Sequence, residues 1–155
     1  MDLSTNWEYV ADTVMGGVSR GQATRETVDG RNATRLTGNV SLDNNGGFVQ
    51  IAFDLAGGDD FDGSAYAGIT FDVRGNGATY DLRVRTRALD RPWQSFRTNF
   101  EAPAEWTTVC VPFKALVPHR TDATFDPATL RRIGILAVGQ EMQADIAVSS
   151  IALYR

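Results

Sequence analysis

The sequence predicts an all-β fold in which two antiparallel sheets pack face to face as a sandwich. Apolar residues recur at every second position in several segments, which is the period of a half-buried strand. Turn-forming residues separate these segments at short intervals. The chain also has fourteen Asp but only five Glu, and Asp favours turns and caps where Glu favours helix interiors.

The strand segments can be placed one by one. Alternation is clearest in residues 48–55, 69–74 and 80–87, where the apolar side chains fall on one face. Weaker patterns predict strands at 22–28, 33–42, 93–100, 106–113, 133–138 and 144–154. Only residues 126–132 favour a helix, of one or two turns, because an Asp suited to the N-cap precedes a Pro. Many short strands with almost no helix indicate a two-sheet sandwich.

The parity of the alternating residues predicts which side chains form the core. Within a strand, residues two apart point to the same face, so one face of each segment should be buried. The predicted core residues are Val49, Ile51, Phe53, Phe71, Val73, Leu82, Val84, Val109, Val111, Ile133 and Ile135.

The Gly75-Asn76-Gly77 string predicts a hairpin between the segments 69–74 and 80–87. We favour a register that pairs Asp72 with Arg83 and Arg74 with Asp81, because the alternative places Asp72 opposite Asp81. The arginines of this hairpin either line a binding surface or form ion pairs on a solvated face. They are Arg74, Arg83, Arg85 and Arg87.

Length and composition limit the possible functions. The 155 residues fit one domain, 1–155, and the net charge of −4 lacks the basic footprint of a nucleic-acid-binding protein. No apolar run reaches the length of a membrane span, and no leader pattern opens the chain, so we expect a soluble cytoplasmic protein. Single Cys and His residues exclude a disulfide framework or Cys/His zinc site within one chain. We expect Cys110 to be a small buried hydrophobe, and we predict no cofactor and no metal site.

Two strings resemble known functional motifs. Gly17-Val18-Ser19-Arg20-Gly21 matches the G-x-S-x-G nucleophile elbow, and His119 follows later, as in an α/β-hydrolase. That motif requires a helix after the serine, and no helical pattern follows Gly21, so a serine hydrolase is a remote alternative. Residues 59–63 are acidic but lack the spacing and terminal Glu of a calcium loop, which favours a solvated turn.

Two glycine pairs mark the candidate site. They allow close backbone approach beside polar and aromatic residues, which suits either a shaped pocket or tight corners of a sandwich. We predict that the 12–19 segment and the 45–48 turn lie side by side as the functional surface, since loops on a rigid frame commonly carry function. The candidate binding residues are Trp7, Asp12, Met15, Gly16, Gly17, Ser19, Asn45, Gly46, Gly47 and Phe48.

A structural alternative accounts for the same segments. In it, the Asp12 and Asn45 side chains accept hydrogen bonds from backbone amides at a tight corner. Met15 and Phe48 then close the end of the sandwich. Both interpretations stay open at the level of the sequence.

The chain resembles the complex I intermediate-associated protein family, named for an assembly factor of respiratory NADH:ubiquinone oxidoreductase. The residues that carry the resemblance are Trp7, Asp12-Thr13-Val14-Met15-Gly16-Gly17-Val18-Ser19, Gly38-Asn39-Val40-Ser41-Leu42, Asn45-Gly46-Gly47-Phe48, Gly68-Ile69, Gly75-Asn76-Gly77 with Tyr80, Trp106, Val111-Pro112-Phe113 and Ile133-Gly134-Ile135. The resemblance implies a galactose-binding-like jelly roll and no established chemistry. Two positions depart from the pattern: Asn76 stands where the family usually has Asp, and Ala52 lies near the place of a frequent Arg.

The resemblance and the residues together suggest a non-catalytic binding module, an assembly or stability factor for a respiratory or other multisubunit complex. Its partners would be proteins, with no nucleic acid and no membrane insertion. The alternative is a carbohydrate- or small-ligand-binding domain, which rests on fold analogy alone. A row of exposed Trp side chains would favour the sugar-binding alternative, and buried Trp would count against it.

Overall fold

Eleven strands form two antiparallel sheets in the computed structural model, so the predicted all-β sandwich is confirmed. The structure describes the backbone of residues 1–155 and every side chain except those of Met15 and Asn45. The strands are β1 (Glu8–Ala11), β2 (Arg20–Val28), β3 (Arg31–Val40), β4 (Phe48–Asp54), β5 (Gly68–Gly75), β6 (Thr79–Thr86), β7 (Ser95–Glu101), β8 (Thr107–Pro112), β9 (Val117–His119), β10 (Leu130–Val138) and β11 (Met142–Tyr154). Four 3-10 turns lie at Asp12–Met15, Asp43–Asn45, Phe113–Ala115 and Pro127–Thr129.

The two sheets divide the strands unequally. A six-stranded sheet has the order β1-β4-β10-β6-β7-β9, and a five-stranded sheet has the order β2-β3-β11-β5-β8. Consecutive strands therefore often belong to different sheets, as in a jelly roll. Every predicted strand is present, whereas the short strands β1 and β9, at the two edges of the six-stranded sheet, were not predicted.

The core lies between the sheets, as expected from the apolar residues at alternate positions of each strand. Ten of the eleven predicted core residues are buried, and Val109 is half-buried against the same cluster. Phe71 of β5 meets Phe100 of β7 edge to face at 4.9 Å between ring centroids, so the contact joins the two sheets. The core prediction is confirmed.

The predicted hairpin at Gly75-Asn76-Gly77 is wrong. β5 pairs with β11 and β8 in one sheet, and β6 pairs with β10 and β7 in the other, so the string forms a corner between sheets. The amides of Gly75 and Gly77 donate to the carbonyls of Pro103 and Ala102. The Asn76 side chain donates to Gln143 O and accepts from the Tyr80 hydroxyl.

The predicted cross-strand ion pairs fail with the hairpin. Asp72 bonds to Arg31, Thr108 and Ser150 on the five-stranded sheet, and Arg74 pairs with Asp29 at 2.9 Å. Asp81 instead pairs with Arg83, two residues along its own strand, at 3.0 Å. The four arginines assigned to one face are therefore split between the two sheets.

Two further expectations need correction. Cys110 is exposed on the outer face of the five-stranded sheet, with its Sγ 3.4 Å from Thr70 Oγ1, because Val109 and Val111 take the inward positions. The helix predicted over 126–132 is only the 3-10 turn Pro127–Thr129, capped by the Asp126 side chain, which accepts from Ala128 N at 3.0 Å. The chain from Leu130 onward joins β10 instead, where Leu130 and residues 133–137 are buried, because burial within the sheet outweighs local helix propensity.

Candidate functional site

A buried carboxylate joins the two glycine-pair segments at one end of the sandwich. Asp12 follows β1 directly and has no exposed surface. Its Oδ1 accepts from the Ser19 amide at 3.0 Å. Its Oδ2 accepts from the Ser19 hydroxyl at 2.5 Å and from the amides of Gly47 and Phe48 at 2.6 and 3.2 Å. The predicted contact between the 12–19 segment and the 45–48 turn is therefore present.

Ser19 extends this network to a third segment. Its hydroxyl donates to Asp12 and accepts the Ser41 amide at 2.8 Å, just beyond the end of β3. Ser19 is 1% exposed, so neither Ser19 nor Asp12 can contact a ligand directly in this arrangement. The two side chains fix the relative positions of the loops around them.

The glycines are explained by the space that the carboxylate needs. A Cβ on Gly17 would lie 2.5 Å from the Asp12 Cγ, and a Cβ on Gly46 would lie 2.5 Å from its Oδ2. These distances are far below a van der Waals contact. Gly16 and Gly47 adopt left-handed φ values of 86° and 138°, which side chains disfavour. The glycines thus provide a cradle for Asp12 and the turns beside it.

The hydrogen bonds keep Asp12 ionised. Burial alone would raise the pKa of Asp12, but the Ser19 hydroxyl and the amides of Gly47, Phe48 and Ser19 hold it below the usual value. Burial and the negative charge of Asp12 together raise the pKa of Tyr9. The corner therefore contains a buried anion that is compensated by hydrogen-bond donors.

The predicted site residues fall into three groups. Seven lie at this corner: Asp12, Gly16, Gly17, Ser19, Gly46, Gly47 and Phe48. Trp7 lies at the other end of β1, where its ring packs edge to face on Phe53 at 4.7 Å. The side chains of Met15 and Asn45 lie outside the described part of the structure, although their backbones belong to the two turns.

Sequence reasoning missed the exposed surface of the corner. Val14, Val18 and Leu42 emerge from the joined segments and are 74%, 43% and 45% exposed. They represent three of the six large hydrophobic residues that are exposed among the described side chains. We call these three residues the apolar corner. Their signal in the sequence was the presence of aliphatic residues in loops that otherwise hold polar and glycine residues.

The G-x-S-x-G string forms no nucleophile elbow. Ser19 is followed by β2 rather than a helix, and its hydroxyl is committed to Asp12 and Ser41. His119 lies on β9 of the opposite sheet, paired with Ser95. The arrangement of an α/β-hydrolase is therefore absent from these residues.

The acidic loop at 59–63 is an ion-paired turn. Asp60 bridges Arg87 at 2.5 Å and Arg131 at 2.6 Å, and Asp62 accepts from the amide and hydroxyl of Ser64. Among the described side chains, no three His, Cys, Asp or Glu residues are grouped to hold a metal ion. Nor does any helix in the described structure have the length and apolar character to cross a membrane.

The family assignment follows from the match of a family model. The model of the Complex I intermediate-associated protein 30 family matches residues 1–148. The chain belongs to this family. The resemblance carried by the Asp12–Ser19 and Asn45–Phe48 segments is thereby confirmed, and these segments form the corner described above. A comparison with curated proteins returns no match.

Several solved structures with the same fold are carbohydrate-binding modules. The family 11 module of the cellulosomal cellulase Lic26A-Cel5E of Clostridium thermocellum is similar over 97% of this chain and 88% of that one, with a TM-score of 0.79 and 14% identity. The Clostridium thermocellum module in complex with a β-1,3-1,4-mixed-linked tetrasaccharide has a TM-score of 0.76 and 15% identity, over 97% and 89% of the two chains. A family 30 module has a TM-score of 0.65 and 17% identity, over 87% and 74%. At these identities the likeness shows the galactose-binding-like jelly-roll fold alone.

Proposed function

We propose that this chain is a non-catalytic protein-binding module that associates with a subunit or assembly intermediate of a multisubunit complex. The family is named for association with intermediates of complex I. The observation that carries the proposal is the apolar corner, which a buried hydrogen-bond network holds in place. A cytoplasmic location and a single domain over residues 1–155 remain parts of this proposal.

The corner has the properties of a pre-organised contact surface. Asp12 and Ser19 join three chain segments through buried hydrogen bonds, so the loops that present Val14, Val18 and Leu42 lose little freedom on binding. Clustered apolar exposure on a protein surface is typical of protein–protein contacts. The partner would therefore present an apolar patch of its own.

The predicted site residues then divide by role. Asp12, Ser19 and the glycines position the loops, while the aliphatic side chains make the contact. Met15 and Asn45 remain predicted contact residues, because their turns border the apolar corner. Trp7 supports the sheet through Phe53 rather than the corner.

The carbohydrate-binding alternative rests on the fold, and the tryptophans give it little support. None of the three Trp residues lies within a strand, so they form no row on a sheet face. Trp7 packs on Phe53, and Trp106 stacks under Arg31 while donating to Val28 O at 3.1 Å. Only Trp93 is largely exposed among them.

The proposal is tested by capture from the native host with tagged wild-type protein and a Val14→Asp/Leu42→Asp variant. We expect the wild type to retain subunits of NADH:ubiquinone oxidoreductase or another multisubunit complex, identified by mass spectrometry. The variant should lose them, because two carboxylates would enter an apolar contact. Its melting temperature should stay near that of the wild type, since both side chains are exposed.

The matched control is Cys110→Asp, which places a carboxylate at an exposed position on the outer face of the five-stranded sheet, away from the apolar corner and from the six-stranded sheet. This variant should capture the same proteins as the wild type. Equal loss in both variants would contradict a role of the apolar corner. Retention of mixed-linked β-glucan oligosaccharides with no captured protein would favour the carbohydrate-binding alternative.

A further inference from the structure

The outer face of the six-stranded sheet places arginines directly opposite one another. Arg83 on β6 is the register partner of Arg97 on β7, and Arg85 on β6 is the register partner of Arg132 on β10. Like charges at directly opposed positions destabilise a sheet. We call these four residues, with Arg120 just after β9, the arginine surface.

Nearby carboxylates compensate this surface only in part. Arg132 is paired with Glu8 at 2.7 Å and Asp54 at 2.9 Å. Asp81 is 3.0 Å from Arg83 and 3.8 Å from Arg97. The five arginines thus share three carboxylates, an excess of two positive charges on a chain whose net charge is −4.

Arg85 is a half-buried member of this surface with no carboxylate partner among the described side chains. Its guanidinium donates only to the carbonyls of Arg91 and Gln94, at 2.7 and 2.5 Å. Burial, and then the charge of Arg132, lower the pKa of Arg85. Burial also lowers the pKa of Arg83, with further lowering from Arg97 and Arg120 against the opposing effect of Asp81. A bound anion would relieve this repulsion.

A cavity and two buried hydroxyls without a partner lie close to this surface. Thr86 Oγ1 and Ser95 Oγ make no hydrogen bond among the described residues, although Thr86 is 2% and Ser95 4% exposed. Thr86 lines a cavity of about 260 Å³ together with Arg85 and Arg132. Ser95 shares the parity of Arg97 on β7 and lies opposite His119. The cavity gives an acidic side chain room to approach Arg85 and Arg132.

We propose that the arginine surface binds an extended acidic segment of a protein partner. This inference rests on the proposed protein-binding function and adds a second surface to it. Acidic side chains at alternate positions of an extended segment lie about 6.8 Å apart on one side, which is also the spacing of Arg83 and Arg85 along β6. One carboxylate enters the cavity beside Arg85, and the next meets the pair of Arg83 and Arg97. The surface offers no aromatic platform for a sugar ring among these residues.

The test measures binding of the purified protein to acetyl-(Glu-Thr)4-amide by isothermal calorimetry, with the Gln-for-Glu peptide as its neutral counterpart. We expect the acidic peptide to bind, the neutral peptide not to bind, and the affinity to fall as NaCl rises from about 0.05 to 0.2 M. Arg97→Gln should weaken binding about tenfold, as expected for the loss of a charge-assisted contact. Arg85→Gln should weaken it to a similar degree, because Arg85 lines the cavity that receives the other carboxylate.

The matched control is Arg74→Gln, which removes an arginine from the opposite sheet. Its affinity for the acidic peptide should equal that of the wild type. Equal weakening in this control, or stronger binding of inorganic phosphate or polygalacturonate than of the peptide, would overturn the proposal. Because the peptide assay does not involve the apolar corner, its failure leaves the capture experiment as a separate test of the proposed function.

Discussion

At the scale of single residues, Asp12 determines the geometry of the candidate site. A buried carboxylate is costly unless donors surround it, and four hydrogen bonds from Ser19, Gly47 and Phe48 provide that compensation. The Gly17 and Gly46 positions have no room for a side chain beside it. The string Asp-Thr-Val-Met-Gly-Gly-x-Ser thus contains the buried anion, one of the residues that donate to it, and a glycine that leaves room for it.

We expect Asp12→Asn to destabilise the fold. Asn has the same shape, but its side-chain NH2 group replaces one of the two accepting oxygens and would face an N–H or O–H donor. At least one buried donor therefore loses its acceptor. The free energy of unfolding should fall by about 1–3 kcal/mol, measured by urea denaturation. Asp122→Asn, at an exposed carboxylate, is the control and should change it by less than about 0.5 kcal/mol. An unchanged midpoint for Asp12→Asn would show that Asp12 is free for another role.

The same carboxylate predicts a pH dependence. The pKa of Asp12 is lower in the folded protein than its usual value, so ionised Asp12 stabilises the fold fully above the unfolded-state pKa of about 3.9. That stabilisation is lost as the pH falls through the folded-state pKa. The difference in unfolding free energy between wild type and Asp12→Asn should therefore be constant near neutral pH and shrink in acid. Urea titrations at a series of pH values would measure it, and a difference that grows in acid would contradict this account.

At the scale of strands, the sequence predicts which segments are extended but not which segments pair. Alternation showed that residues 69–74 and 80–87 each bury one face, and it located the core on the correct side. It carried no information on the partner, because the choice between a hairpin and a corner depends on distant residues such as Ala102, Pro103 and Gln143. β1 and β9 are too short for periodicity to be visible.

The opposed arginines on β6 and β7 make a prediction for sheet stability. Arg97→Gln should raise the free energy of unfolding by about 0.2–1 kcal/mol, because it removes a like-charge pair with Arg83. Arg74→Gln should instead leave it unchanged or lower it by up to about 1 kcal/mol, since it breaks the ion pair with Asp29. Chemical denaturation at low salt would show whether each substitution raises or lowers the free energy of unfolding. Loss of stability in Arg97→Gln would indicate that Asp81 already compensates the pair.

At the scale of the whole molecule, the core between the sheets supplies the rigidity on which the loops depend. Phe71 is 1% exposed and bridges the sheets through Phe100. We expect Phe71→Ala to lower the free energy of unfolding by about 3–5 kcal/mol, through lost transfer energy and the cavity left behind. Urea denaturation would measure this, with Val117→Ala as an exposed control. A midpoint equal to that of wild type would mean that Phe71 does not bridge the sheets in solution.

The sequence indicated the candidate site more completely than it indicated the distribution of charge on the two sheets. The glycine pairs and Asp12 were recognised, and their proximity was predicted from loop clustering. The arginines were noticed as well but were assigned to one hairpin, so the like-charge pairs of Arg83 with Arg97 and of Arg85 with Arg132 were missed. On the five-stranded sheet, by contrast, Arg31, Arg35 and Arg74 each pair with a carboxylate, and Arg35 contacts both oxygens of Asp145 at 2.8 and 2.7 Å.

The position of Cys110 has a practical consequence. It is the chain's only cysteine, and it is exposed on the outer face of the five-stranded sheet, away from the arginine surface. A maleimide fluorophore or spin label therefore attaches at one defined point, without mutagenesis, on the sheet opposite the arginine surface. Such a probe would report tumbling, and hence the formation of a larger assembly, while leaving both proposed contact surfaces free.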